Sequence, residues 1–225
     1  MDISNVRKAT EMDGIERVFD QLDRWRCLPD YQLERRADLY FSLYLPEVLE
    51  AVLGEPIRQD LVPEFPIKQL DSNRSDKVDY LAATADGTTL VFVELKTDCN
   101  STRLEQFEYL CRGAQKTGVE LFDDLSTIRK ASKARPKYDA LIAATQAMGL
   151  PEIRERAIGE NHPVVLISPL EEFKGRDEAI KLFETAGVPF HVVTFERFRA
   201  SVLKHRDPLS VRFSESLDHW WKNPV

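Results

Sequence analysis

Two charged side chains interrupt the apolar run at residues 91–97, VFVELKT. Glu94 and Lys96 stand two apart, which on a strand puts them side by side on one face. Around them Val91, Val93 and Leu95 alternate with Phe92, so both faces begin apolar, the pattern of a central strand covered from both sides. Burying a carboxylate and an ammonium in such a strand is costly unless an ion pair, a metal or an opening to solvent compensates. Asp79 lies in the preceding strand-like run, KVDYLAAT, and the turn Ala85-Asp86-Gly87 between the two runs signals a hairpin, because glycine accepts positive φ at low cost. Residues whose numbers sum to about 173 then face one another across that hairpin, and Asp79 is expected opposite Glu94. Facing carboxylates repel and raise the pKa of one of them, unless a cation lies between. Hard oxygen ligands on a rigid sheet, with a lysine alongside, suit Mg²⁺, with Mn²⁺ as its substitute. A structural Asp–Lys–Glu cluster would satisfy the same charges.

The elements that must position these residues follow from periodicity. Helices are expected at 11–25 and 32–53, the second stopping at Gly54. Ala37, Phe41, Leu45, Val48 and Val52 form its apolar face, Glu34 falls on the same face, and Pro46 is expected to kink or divide it. Residues 60–69 contain two prolines and read as an edge or irregular strand, followed by the turn-rich LDSNRSD. After the hairpin comes a helix over 102–116 with Leu104, Phe107, Leu110 and Ala114 on one face, then helical material to about 148. Strands at 163–168 and 189–195 flank a helix at 176–186, and Trp220-Trp221 reads as a packing anchor or an interface patch. The layout is α/β with a mixed sheet, since a hairpin precedes the helical crossover.

Asp79, a gap of fourteen residues and then Glu94-x-Lys96 resemble the D-x(n)-(D/E)-x-K signature of the PD-(D/E)XK nuclease superfamily. Val78 stands where that family often has proline. The resemblance implies a three-layer, restriction-endonuclease-like core ordered αβββαβ over about 32–168, within one domain spanning 1–225. A helical extension would precede this core at 1–31, and an αβ extension would follow it at 169–225. It implies a metal-dependent nuclease, acting on DNA before RNA. Asp79, Glu94 and the Leu95 carbonyl would hold Mg²⁺, and Lys96 would orient the attacking water and balance charge in the transition state. Many members add a glutamate from the first helix, for which Glu34 is the candidate and Glu47 and Glu50 are rivals. Asp98 continues the face of Glu94 and Lys96 and is a candidate for a second metal or a strand-end turn. Arg103 and Gln106 on the following helix are candidates for phosphate contact. Some relatives place a glutamine and a tyrosine four apart on that helix; here Gln106 and Tyr109 are three apart. The rival reading is a non-catalytic nucleic-acid-binding or scaffold module that keeps the fold. A second triplet of this form, Glu172-Phe173-Lys174, lies outside any apolar strand and reads as surface.

Composition narrows the remaining classes. The net charge is −7, yet LSTIRKASKARPKY at 125–138 holds five cations and no acid, leaving −12 for the rest of the chain. Arg129, Lys130 and Lys133 in this run are candidate nucleic-acid contacts, because phosphate is met by local patches. Cys27, Cys99 and Cys111 form no metal-ligand spacing, and the scattered histidines form none either. No glycine-rich phosphate loop, secretory signal or membrane-length apolar run is present, which makes the cytoplasm the expected address. A homodimer is left open.

Overall fold

The computed structural model describes residues 3–223 apart from 71, 73 and 154–160, with side chains from residue 14 onward. Two helices, α1 (Ile3–Trp25) and α2 (Leu33–Leu53), precede the hairpin strands β1 (Val62–Lys68), β2 (Ser75–Ala83) and β3 (Leu90–Leu95). Helices α3 (Leu104–Ala114), α4 (Gly118–Ala131) and α5 (Arg135–Ala147) lead to β4 (Val164–Ser168), then α6 (Arg176–Ala186) and β5 (Phe190–Thr194). Two further helices, α7 (Phe195–Val202) and α8 (Pro208–Lys222), close the described chain. The five strands form one mixed sheet in the order β1-β2-β3-β4-β5, antiparallel up to β3 and parallel from β3 to β5. The chain is thus α/β.

Strand alternation divides the core in two. Val91, Val93 and Leu95 of β3 face a cluster built with α1, α2, α7 and α8, among them Phe41, Phe213 and Trp220. Leu90 and Phe92 face the opposite cluster, with Phe107 and Leu110 of α3, Leu121 of α4 and Phe183 of α6. All six residues of β3 are buried, as a strand covered on both faces requires.

Several local expectations shift. Pro46 lies inside a continuous α2, so it neither divides the helix nor ends it; Gly54, at φ 74°, does that as a left-handed cap. The prolines of β1 are tolerated because β1 is an edge strand, where a missing N–H need not break a ladder. The helical material expected to about 148 is two helices, and the basic run straddles the corner where α4 ends and α5 begins. Residues 71 and 73 of the expected LDSNRSD turn lie outside the described residues. Among the described residues no helix is long and apolar enough to cross a membrane.

Candidate metal centre

The site forms where β2 and β3 part. Their ladder pairs residues summing to 173 from Ala83↔Leu90 to Tyr80↔Val93 and records no pair beyond. One step further, the Leu95 N–H donates to Asp79 Oδ2 at 2.7 Å, a side chain standing in for a strand partner. On its other side, β2 pairs with β1 at Phe65↔Val78 and Pro63↔Tyr80 but skips Glu64 and Asp79. Glu64 sits at φ 53°, a left-handed conformation that strains any non-glycine residue. The slip is visible in the packing: Val78 and Leu81 both join the α3-side core, a spacing of three that regular alternation forbids. Asp79 therefore occupies an irregular point in the sheet, beside the end of β3.

Glu94 and Lys96 are 2% and 4% exposed. The Lys96 ammonium lies 2.7 Å from Glu94 Oε1 and 3.5 Å from Glu34 Oε2, and donates to the Leu95 carbonyl at 3.0 Å. From α3, the Gln106 amide donates to Glu94 Oε1 at 3.1 Å. The Tyr109 hydroxyl donates to the Lys77 carbonyl at 2.8 Å and lies 3.4 Å from Glu94 Oε2. Its one proton serves the shorter bond, which leaves Oε2 with lone pairs to spare. Burial pushes the Glu94 carboxyl up to about 8 against the pull of Lys96, with Asp79 and Glu34 pushing the same way. Burial likewise raises Asp79 and Glu34, in each case against Lys96. Burial works to lower Lys96, but Glu94, Glu34 and Asp79 together hold its ammonium above the ordinary lysine range.

Burial leads each carboxyl shift, and crowded negative charge adds to it. The cleft of about 260 Å³ around the site is lined by five carboxylates, Glu34, Asp38, Glu64, Asp79 and Glu94. Against them stand three cations, Arg35, Lys77 and Lys96, a formal −2 that one divalent ion cancels. Among the described residues no group of three or more His, Cys, Asp or Glu side chains is arranged to hold a metal by itself. The residues that could hold Mg²⁺ are Asp79 and Glu94 with the Leu95 carbonyl, of which Asp79 Oδ2 now accepts from the Leu95 N–H and the carbonyl from Lys96.

Of the helix glutamates, Glu34 lines this cleft, whereas Glu47 pairs with His205 at 3.0 Å. Glu50 is exposed. Asp98 accepts from the Asn100 N–H at 2.8 Å and serves the turn after β3. Arg103 is exposed at the start of α3, while Gln106 is committed to Glu94. Arg129 is engaged by Asp139 at 2.6 Å; Lys130 and Lys133 are exposed at the α4–α5 corner. In the second triplet Glu172 and Lys174 are exposed and Phe173 is buried beneath them. Sequence reasoning passed over Lys77 and gave Tyr109 no role. The signal for Tyr109 was its three-residue spacing from Gln106, which puts both on one helix face. Comparison with protein-family models, with curated proteins and with solved structures gave no match.

Proposed function

We propose that the chain is a divalent-metal-dependent nuclease of the PD-(D/E)XK type, hydrolysing phosphodiester bonds in nucleic acid, DNA before RNA. The observation that supports this best is the buried Glu94–Lys96 pair beside Asp79 in a cleft of formal charge −2. The order α2, β1, β2, β3, α3, β4, with α4 and α5 inserted before β4, is compatible with the restriction-endonuclease-like core that this reading requires.

Held by Asp79, Glu94 and the Leu95 carbonyl, Mg²⁺ would supply Lewis acidity and a bound water of lowered pKa. Lys96 brings a fixed positive charge to the place where a phosphate gains negative charge in the transition state. Gln106 restrains the Glu94 carboxylate through Oε1, and Glu34 restrains the lysine from the other side. The test is cleavage of labelled DNA and RNA in Mg²⁺ and in EDTA by wild type and Lys96→Ala. The expected result is cleavage by wild type in Mg²⁺ alone and a loss of about 100-fold or more in the variant, the usual cost of removing one transition-state contact. Equal activity in EDTA would sink the metal mechanism; absence of activity on every substrate would favour a non-catalytic module.

A further inference from the structure

The metal cleft has a cavity on each side, joined to it by shared walls. Toward the edge of the sheet, Glu64 and Lys77 also line a pocket of about 250 Å³ completed by Pro66, Lys137, Tyr138 and Leu141. Toward the start of α2, residues Glu34, Arg35, Lys96 and Gln106 also line a cavity of about 500 Å³ that adds Tyr31 and Arg103. Sheet order sets the sequence of the three, because Glu64, Asp79 and Glu94 stand on successive strands. The flanks differ in charge from the centre. Apart from the walls shared with the cleft, the edge pocket adds Lys137, a formal +1, and the other flank adds Arg103 and Asp98, which cancel, beside the central −2.

Each flank pairs cations with a half-buried tyrosine, Tyr138 with Lys137 and Tyr31 with Arg35 and Arg103. Tyr31 is backed edge-on by Trp25, which is 39% exposed. Cations for the phosphates beside aromatic platforms for the bases are how proteins grip unpaired nucleotides, since a base stacks freely on a ring once it has left a duplex. Lys77 can turn to a phosphate because its bond to Glu64 is an exposed surface pair, worth little.

Resting on the nuclease reading, we infer that the substrate is single-stranded, drawn through these three cavities. One nucleotide would stack on Tyr138 with its phosphate on Lys77 and Lys137, and the strand would leave past Tyr31, Arg35 and Arg103. The test is anisotropy of a labelled oligothymidylate and of a duplex of equal length, in EDTA, where metal-dependent cleavage is silent. Wild type should bind the single strand about tenfold tighter or better. Tyr138→Leu, which keeps an apolar body in place, should weaken that binding about fivefold or more. Lys137→Ala, at an exposed position, should lower the slope of log affinity against log salt by about 0.7. Duplex binding as tight as single-strand binding overturns the inference, as do two variants that bind like wild type. Either result, in a protein that still takes up Mg²⁺, leaves the nuclease reading standing. Strand binding with the expected losses in a protein that takes up no Mg²⁺ upholds the groove and sinks the nuclease reading instead.

Discussion

Glu94 carries the sharpest tension in the molecule, a carboxylate 2% exposed with a neighbour of each sign. Its place on the strand beside Asp79 was legible in the sequence, because the Asp86-Gly87 turn sets the register sum of 173. The ladder itself ends at Tyr80↔Val93, one pair short of Asp79 and Glu94. The break in alternation at Asp79 was not legible: it coincides with Glu64 on another strand at φ 53°, and no local pattern near Asp79 reports that. The raised carboxyl has a consequence for the metal-free protein. Glu94 moves from 4.5 to about 8 on folding, so the native state holds its proton more tightly than the unfolded chain. That stability is complete below the unfolded value and drains away as pH rises through about 8. Lys96, raised as well, loses its contribution only above the ordinary lysine range, outside this window. In EDTA, the melting temperature of wild type relative to Glu94→Gln should therefore fall between pH 5 and pH 8, a window taken from the two carboxyl values. A difference that rises over this range would contradict the assignment.

Elements with their own strong signal were read closely, and those defined by distant partners were not. The helix over 176–186 was expected at the bounds α6 takes, because an amphipathic stretch ends there at Gly187 in the left-handed region. By contrast α7 starts directly after β5, capped by Thr194, so strand and helix share a boundary that periodicity alone blurs. Helix α8 depends on α1: Arg212, 7% exposed, reaches Glu16, Asp20 and Asp23 at 2.8–2.9 Å. Trp220 donates to the same Asp23 at 2.7 Å. These residues are nearly two hundred positions apart, and spacing rules cannot pair them. Replacing Arg212 with Met should cost about 2 kcal/mol in urea unfolding, less than for a wholly buried pair because Glu16 and Asp20 are half exposed. An unchanged midpoint would mean that the α1–α8 contact rests on its apolar residues alone.

For the whole molecule, the net charge of −7 is divided by region: a −2 cleft stands apart from a basic α4–α5 corner. Composition showed that the charges were segregated, but only the fold showed that five carboxylates share one cleft around Asp79 and Glu94. The central claim is that this acidity exists to hold a divalent ion, and calorimetric titration of Mg²⁺ and Mn²⁺ tests it before any substrate is known. The account predicts one ion per chain for wild type and an affinity at least about tenfold lower for Asp79→Asn, whose amide is a poorer ligand for a hard cation. Lys96→Ala should still bind the ion and stay folded when it is present. A wild type that binds neither ion at millimolar concentration would contradict the account, the more so if Lys96→Ala loses about 3–5 kcal/mol of stability that no ion restores, the mark of a purely structural ion cluster.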